Sequence, residues 1–315
     1  MNAGTLITGV IPAALTPFDD DGKIHTADLE RHLEFVLRPD AVTAVTVNGH
    51  AGEVSSLTTE EQRHVLSVAR SVVPAGQKLI AGVYAHSTTE AARSAEMAAG
   101  EGADALLVFP PEVFEFGLRE SPWLSHGYHR AIAEASGLPL IAFVYPTSSP
   151  VHLGPAAILE LCSAVPAIAA VKEWSNDIIG YERTLRGLRA LDTAPTLLSS
   201  FSRALLPSLV VGADGILSGH GSLVPDVHSD LFEAVRREDL AEARRIADVL
   251  YALTDVFYTP PHIDAHSRMK VASEMLGRIS SAYVRGPLQP LSGGERDRIA
   301  SAVEVLREYS AVGAA

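Results

Sequence analysis

The chain has 315 residues, 47% of them hydrophobic and 20% charged, which is enough apolar material for one large core. Its net charge is −13 and no cluster or stripe of Lys and Arg relieves that acidity, which argues against nucleic acid or anionic lipid as a partner. A single cysteine, Cys162, forbids an internal disulfide and a cysteine-rich metal site. It lies in the apolar run Ile158-Leu-Glu-Leu-Cys162 and reads as a buried, inert thiol. No apolar stretch approaches the roughly 20 residues needed to span a bilayer. The chain opens without a basic segment followed by an apolar one, so the cytoplasm is the expected location.

In chain order, short apolar runs alternate with longer helical patterns. Strands are expected at residues 9–14, 44–47, 79–83, 105–108, 140–144, 167–171, 196–198 and 215–217. These runs are continuously apolar, as parallel strands covered on both faces must be. The first is followed by a turn rich in Pro, Asp and Gly, with no phosphate-binding glycine motif, which argues against an open dinucleotide-binding sheet. After the second, Thr58-Thr-Glu-Glu61 is a capping-box signal for a helix; after the third, Ser87-Thr-Thr-Glu90 is another. Eight such strand–helix units close into a (β/α)8 barrel, expected here over residues 1–238. Residues 239–315 are strand-poor, with helical patterns at 240–251, 262–276 and 293–309, separated by Pro260-Pro261 and Gly286-Pro287. They read as a helical extension packed on the barrel.

The chain carries only four lysines. Lys23 and Lys78 sit in polar surroundings and read as solvated; Lys270, on a late helix, reads as exposed. Lys172 ends the apolar strand Ala167-Ile-Ala-Ala-Val171, at the barrel face where such enzymes carry their chemistry. An ammonium against apolar walls loses hydration, its pKa falls, and the neutral amine can attack a ketone to form an imine. The competing reading pairs Lys172 with the neighbouring Glu173.

Five ordered segments carry a family resemblance. They are Pro12-Ala-Ala-Leu-Thr-Pro-Phe18 with Asp21-Gly22, Asn48-Gly-His-Ala-Gly-Glu53 with Leu57-Thr58, Phe143-Val-Tyr145, Val171-Lys-Glu-Trp-Ser-Asn-Asp177 and Gly212-Ala-Asp-Gly-Ile-Leu-Ser218. Together they resemble the dihydrodipicolinate synthase/N-acetylneuraminate lyase family across essentially the whole chain. The resemblance implies a class I aldolase-type homotetramer that binds pyruvate or a similar 2-keto acid as an imine, with no cofactor or metal. It gives Lys172 the imine, Tyr145 the proton shuttle, and Ala51 and Leu217 contacts with the substrate.

The sequence also departs from that pattern. His50 stands where the family loop has its relay hydroxyl, and an imidazole there could move protons near neutral pH. Ala51 replaces the hydroxyl residue that grips the keto-acid carboxylate, leaving backbone N–H groups for that task. Pro150 falls about where a dihydrodipicolinate synthase has an arginine for its second substrate's carboxylate, and Phe109-Pro-Pro-Glu-Val113 lacks that enzyme's paired tyrosines. Hence a true dihydrodipicolinate synthase is not expected. His220, after the eighth strand, is a candidate contact for the second substrate, and Glu112 a weaker one. His262 and His266 have the i, i+4 spacing of a zinc pair without a third ligand in view, and read as surface or packing residues.

Two alternatives stay open. An altered loop could leave a keto-acid-binding or regulatory protein without the reaction. A metal-dependent aldolase would need several His and carboxylate ligands at strand ends, where the sequence offers His50 and His220.

Overall fold

The computed structural model describes residues 7–200 and 202–313. Eight parallel strands are present: β1 (Gly9–Pro12), β2 (Ala44–Val47), β3 (Lys78–Val83), β4 (Ala105–Val108), β5 (Leu140–Val144), β6 (Ile168–Glu173), β7 (Thr196–Ser199) and β8 (Gly215–Ser218). They pair in the order β1-β8-β7-β6-β5-β4-β3-β2. Parallel bridges Val10–Val42 and Ala13–Thr46 bring β1 back beside β2 and close the barrel. Helices α1 (Thr26–Leu37), α2 (Thr59–Val72), α3 (Thr88–Gly100), α4 (Leu124–Ser136), α5 (Pro155–Ala164), α6 (Ile178–Arg189), α7 (Leu205–Val211) and α8 (Pro225–Arg236) follow the strands in turn. This is the (β/α)8 barrel that the alternating pattern predicts.

Burial on both faces explains the unbroken apolar strands. Ile11, Ile80, Leu107, Ile141, Leu198 and Leu217 fill the barrel interior, while Val10, Val45, Leu79, Leu106, Leu140 and Val171 face the helices. The local start signals hold as well. Thr58 caps α2 in a full capping box with Glu61, and the Ser87 side chain accepts from the Glu90 N–H at the start of α3.

The chain continues into α9 (Leu240–Phe257), a 3₁₀ turn at His262–Asp264, α10 (Ala265–Met275) and α11 (Gly293–Gly313). The second helical pattern therefore begins as a tight turn and becomes α-helical at Ala265. Among the described residues no helix is long and apolar enough to cross a membrane.

Candidate active site

Strand alternation turns Lys172 into the barrel and Glu173 toward the helices. In register, Lys172 lies between Phe143 of β5 and Leu198 of β7. Its Nζ sits 4.2 Å from the centroid of the Phe143 ring, and only 7% of the residue is exposed. The expected alternative, a pair with Glu173, is not formed: the Glu173 carboxylate accepts from the Ser175 N–H at 3.2 Å. Burial raises that carboxyl to about 7. The same desolvation lowers Lys172 from 10.5 to about 7, so much of the amine is unprotonated at neutral pH.

The loop leaving β2 brings a second group to this amine. Asn48 adopts a left-handed conformation, with φ of 53°, and its side-chain amide donates to the Gln62 carbonyl at 2.9 Å. The turn lies so close to β3 that a Cβ on Gly82 would stand 2.0 Å from the Asn48 oxygen; only glycine fits there. The loop thereby delivers His50, whose Nε2 lies 2.5 Å from the Tyr145 hydroxyl at the end of β5. Phe109, at 4.5 Å between ring centroids, packs on the imidazole. Burial first, then Lys172 and His266, push His50 down to about 3. Burial also raises the Tyr145 phenol above its ordinary range. The imidazole thus stays neutral through the physiological range, contrary to the expectation that it titrates near pH 7. A neutral pair can still pass a proton, because phenol and imidazole each hold a donor and an acceptor.

Lys172 and His50 open onto a cavity of about 370 Å³. Ala51 lines it, as expected. Leu217 and His220 are not in its lining. Leu217 is packed in the barrel interior, and the His220 ring is buried against His228, Phe257 and Tyr258 at 5.6 to 5.8 Å. His220 follows β8 in sequence, but the chain coils there into a 3₁₀ turn that carries the ring behind the strand end. Glu112 also lies outside the lining and accepts from the Tyr84 hydroxyl at 3.0 Å.

The C-terminal extension contributes more than the sequence reading gave it. Tyr258, His262, Ile263, Ala265, His266, Pro287 and Leu288 form part of the cavity wall. Lys270, expected at the surface, is fully buried in an ion pair with Glu53, and its Nζ donates to the Tyr283 carbonyl at 2.9 Å. A signal existed: Met269-Lys-Val-Ala272 is an apolar run, and a lysine inside such a run needs a partner. The i, i+4 histidines were visible too, but not which face of α10 meets the barrel. Among the described residues no group of three or more His, Cys, Asp or Glu is arranged to hold a metal ion.

Comparison with known proteins extends the picture along the whole chain. The model of the dihydrodipicolinate synthetase family matches residues 6–306. A 4-hydroxy-tetrahydrodipicolinate synthase of Neisseria meningitidis serogroup C is 28% identical over 304 residues, covering 95% of this chain and 98% of that protein. Among solved structures, a dihydrodipicolinate synthase from Bacillus anthracis superposes with a TM-score of 0.85 at 26% identity, covering 95% of this chain and 98% of the other. An N-acetylneuraminate lyase from Fusobacterium nucleatum, 21% identical with a TM-score of 0.81 over 94% of this chain and 98% of its own, shares the fold.

Proposed function

We propose a reaction from a settled premise: this chain belongs to the dihydrodipicolinate synthetase family, whose members are class I aldolase-type lyases. The reading is that Lys172 forms an imine with pyruvate or a pyruvate-like 2-keto acid and carries out aldol cleavage or condensation, or dehydration of a sugar acid. The neutral amine attacks the keto carbon, the carbinolamine loses water, and the resulting iminium withdraws electrons from the adjacent carbon. Breaking a bond at that carbon then leaves an enamine, which takes back a proton or adds to an aldehyde. Tyr145 and His50, in hydrogen-bond contact, move the protons.

The single observation carrying this reading is the Lys172 amine, brought to about 7 by burial and open to a 370 Å³ cavity. Borohydride in the presence of pyruvate is expected to add one reduced pyruvate unit to the protein, on Lys172 alone. An adduct that persists in Lys172→Ala overturns the assignment. Activity is expected to survive EDTA, since the iminium and no Lewis acid withdraws the electrons; loss that zinc or magnesium restores moves the case to a metal-dependent aldolase.

Relatives named 4-hydroxy-tetrahydrodipicolinate synthase do not fix this chain's second substrate. Among the described residues no arginine lines the cavity, and Arg119 donates to the Thr147 and Ser149 carbonyls of the β5 loop. An acceptor without a carboxylate of its own suits that wall better. Assembly as a homotetramer and a cytoplasmic location belong to the same proposal. Self-association is supported by Val113, Phe116, Trp123 and Leu124, large apolar side chains left exposed after β4.

A further inference from the structure

At the place where the loop should grip a keto-acid carboxylate, Ala51 offers no side-chain donor. A methyl group cannot hydrogen-bond, yet a carboxylate entering an apolar cavity needs donors to replace its water. The extension brings one to the same spot. His266, in the first turn of α10, lines the cavity alongside Lys172 and Ala51. A Cβ built on Gly219 would lie 2.9 Å from His266 Nε2 and 3.4 Å from the Ala51 Cβ, so the imidazole edge and the methyl meet over one glycine. The ring stands close enough to feel the charge of Lys172 and to act in turn on His50. Among the described residues the ring makes no hydrogen bond, and the part of it that is not covered by protein faces the cavity.

We infer that His266 is the carboxylate-binding residue of this site, its Nε2–H taking over the contact that the loop gave up at Ala51. The inference rests on the imine reading and adds the group that orients the keto acid for attack. Burial, then Lys172 and Lys270, hold the ring neutral, with a pKa of about 4. A neutral imidazole keeps one N–H to donate, and no proton need arrive before the substrate does. Gly219 belongs to the same device, because any larger residue pushes the ring off the position it occupies.

The test compares pyruvate with pyruvamide, which keeps the ketone and loses the negative charge. The readout is the ligand concentration giving half-maximal borohydride trapping on Lys172. His266→Ala is expected to raise it about tenfold or more for pyruvate, the usual weight of a charge-assisted hydrogen bond, and less than about twofold for pyruvamide. His266→Asn retains an N–H donor and is expected to stay within about threefold of the parent chain for pyruvate. Gly219→Ala keeps the imidazole but displaces it, and should reproduce the selective loss expected of His266→Ala. Thermal unfolding of each variant checks that the fold stands. Equal losses for the two ligands, or none for either, overturn the assignment of His266 while leaving the imine reading intact. A parent chain that traps no pyruvate on Lys172 takes down both.

Discussion

Lys172 shows what it costs to bury an amine. In an unfolded chain it holds its proton up to about 10.5; in the fold it gives the proton up near 7. The folded state therefore binds fewer protons across that window, and its stability rises as pH climbs from about 7 toward 10. Lys172→Met removes the buried charge and should raise Tm, most clearly below about pH 7, by the equivalent of ~2–4 kcal/mol, while abolishing trapping. A thermal melt series across pH reads this directly; a mutant no more stable than the parent at low pH means the amine is better solvated than its burial indicates. For His50, neutral throughout, His50→Ala should lower kcat by about 10² to 10⁴ with a smaller effect on KM. His50→Thr, which restores a hydroxyl beside Tyr145, should recover part of the loss. The kcat profile of the parent chain should show no limb from His50 between about pH 5 and 9, as its pKa lies near 3. That Lys172, Tyr145 and His50 come together was legible because each ends a strand or follows one. The pKa of His50 was not: burial dominates it, and His266, from more than 200 positions along the chain, adds to it.

At the scale of elements, the barrel was legible and its fastening was not. Apolar runs mark every strand, and capping signals the starts of α2 and α3, to within a residue or two, because those signals are local. The clamp on the loop after β2 is built from distant pieces. Lys270 pairs with Glu53, the Arg285 N–H donates to the same carboxylate at 3.1 Å, and the Arg285 guanidinium reaches Glu61 at 2.5 and 2.8 Å. Arg285 also donates to the Gly22 carbonyl at 2.9 Å, tying in the turn after β1. Lys270→Met leaves the Glu53 carboxylate buried and unpaired and should cost about 3–5 kcal/mol. Adding Glu53→Gln to it should return part of that loss, and a double-mutant cycle by denaturant unfolding measures the coupling. Additive single effects would mean that the pair does not hold the loop.

For the whole molecule, the composition anticipated one large core but not a site shared between two parts of the chain. The extension walls the cavity with Tyr258, His266 and Leu288, so the end of the eighth strand–helix unit does not mark the end of the candidate site. Phe116, 90% exposed, and Trp123, 59% exposed, leave apolar surface for the subunit contact of the proposed tetramer. Replacing both with Glu should shift the assembly toward monomer in light scattering, with the far-ultraviolet circular dichroism unchanged. An unaltered mass would place the subunit contact elsewhere.

The apolar seat of Lys172 also sets the proton inventory of the proposed imine formation. An amine that is neutral in the empty enzyme becomes a cationic iminium when a ketone condenses with it and water departs. Above about pH 8 each turn of imine formation must therefore draw close to one proton from the buffer, and below about pH 6 almost none, because the ammonium already holds it. Mixing the enzyme with pyruvate in weakly buffered indicator solution should show alkalinisation that fades as pH falls through about 7. Calorimetry in buffers of different ionisation enthalpy should return the same count. The depth of one side chain in its strand thus appears in the solvent as a stoichiometry.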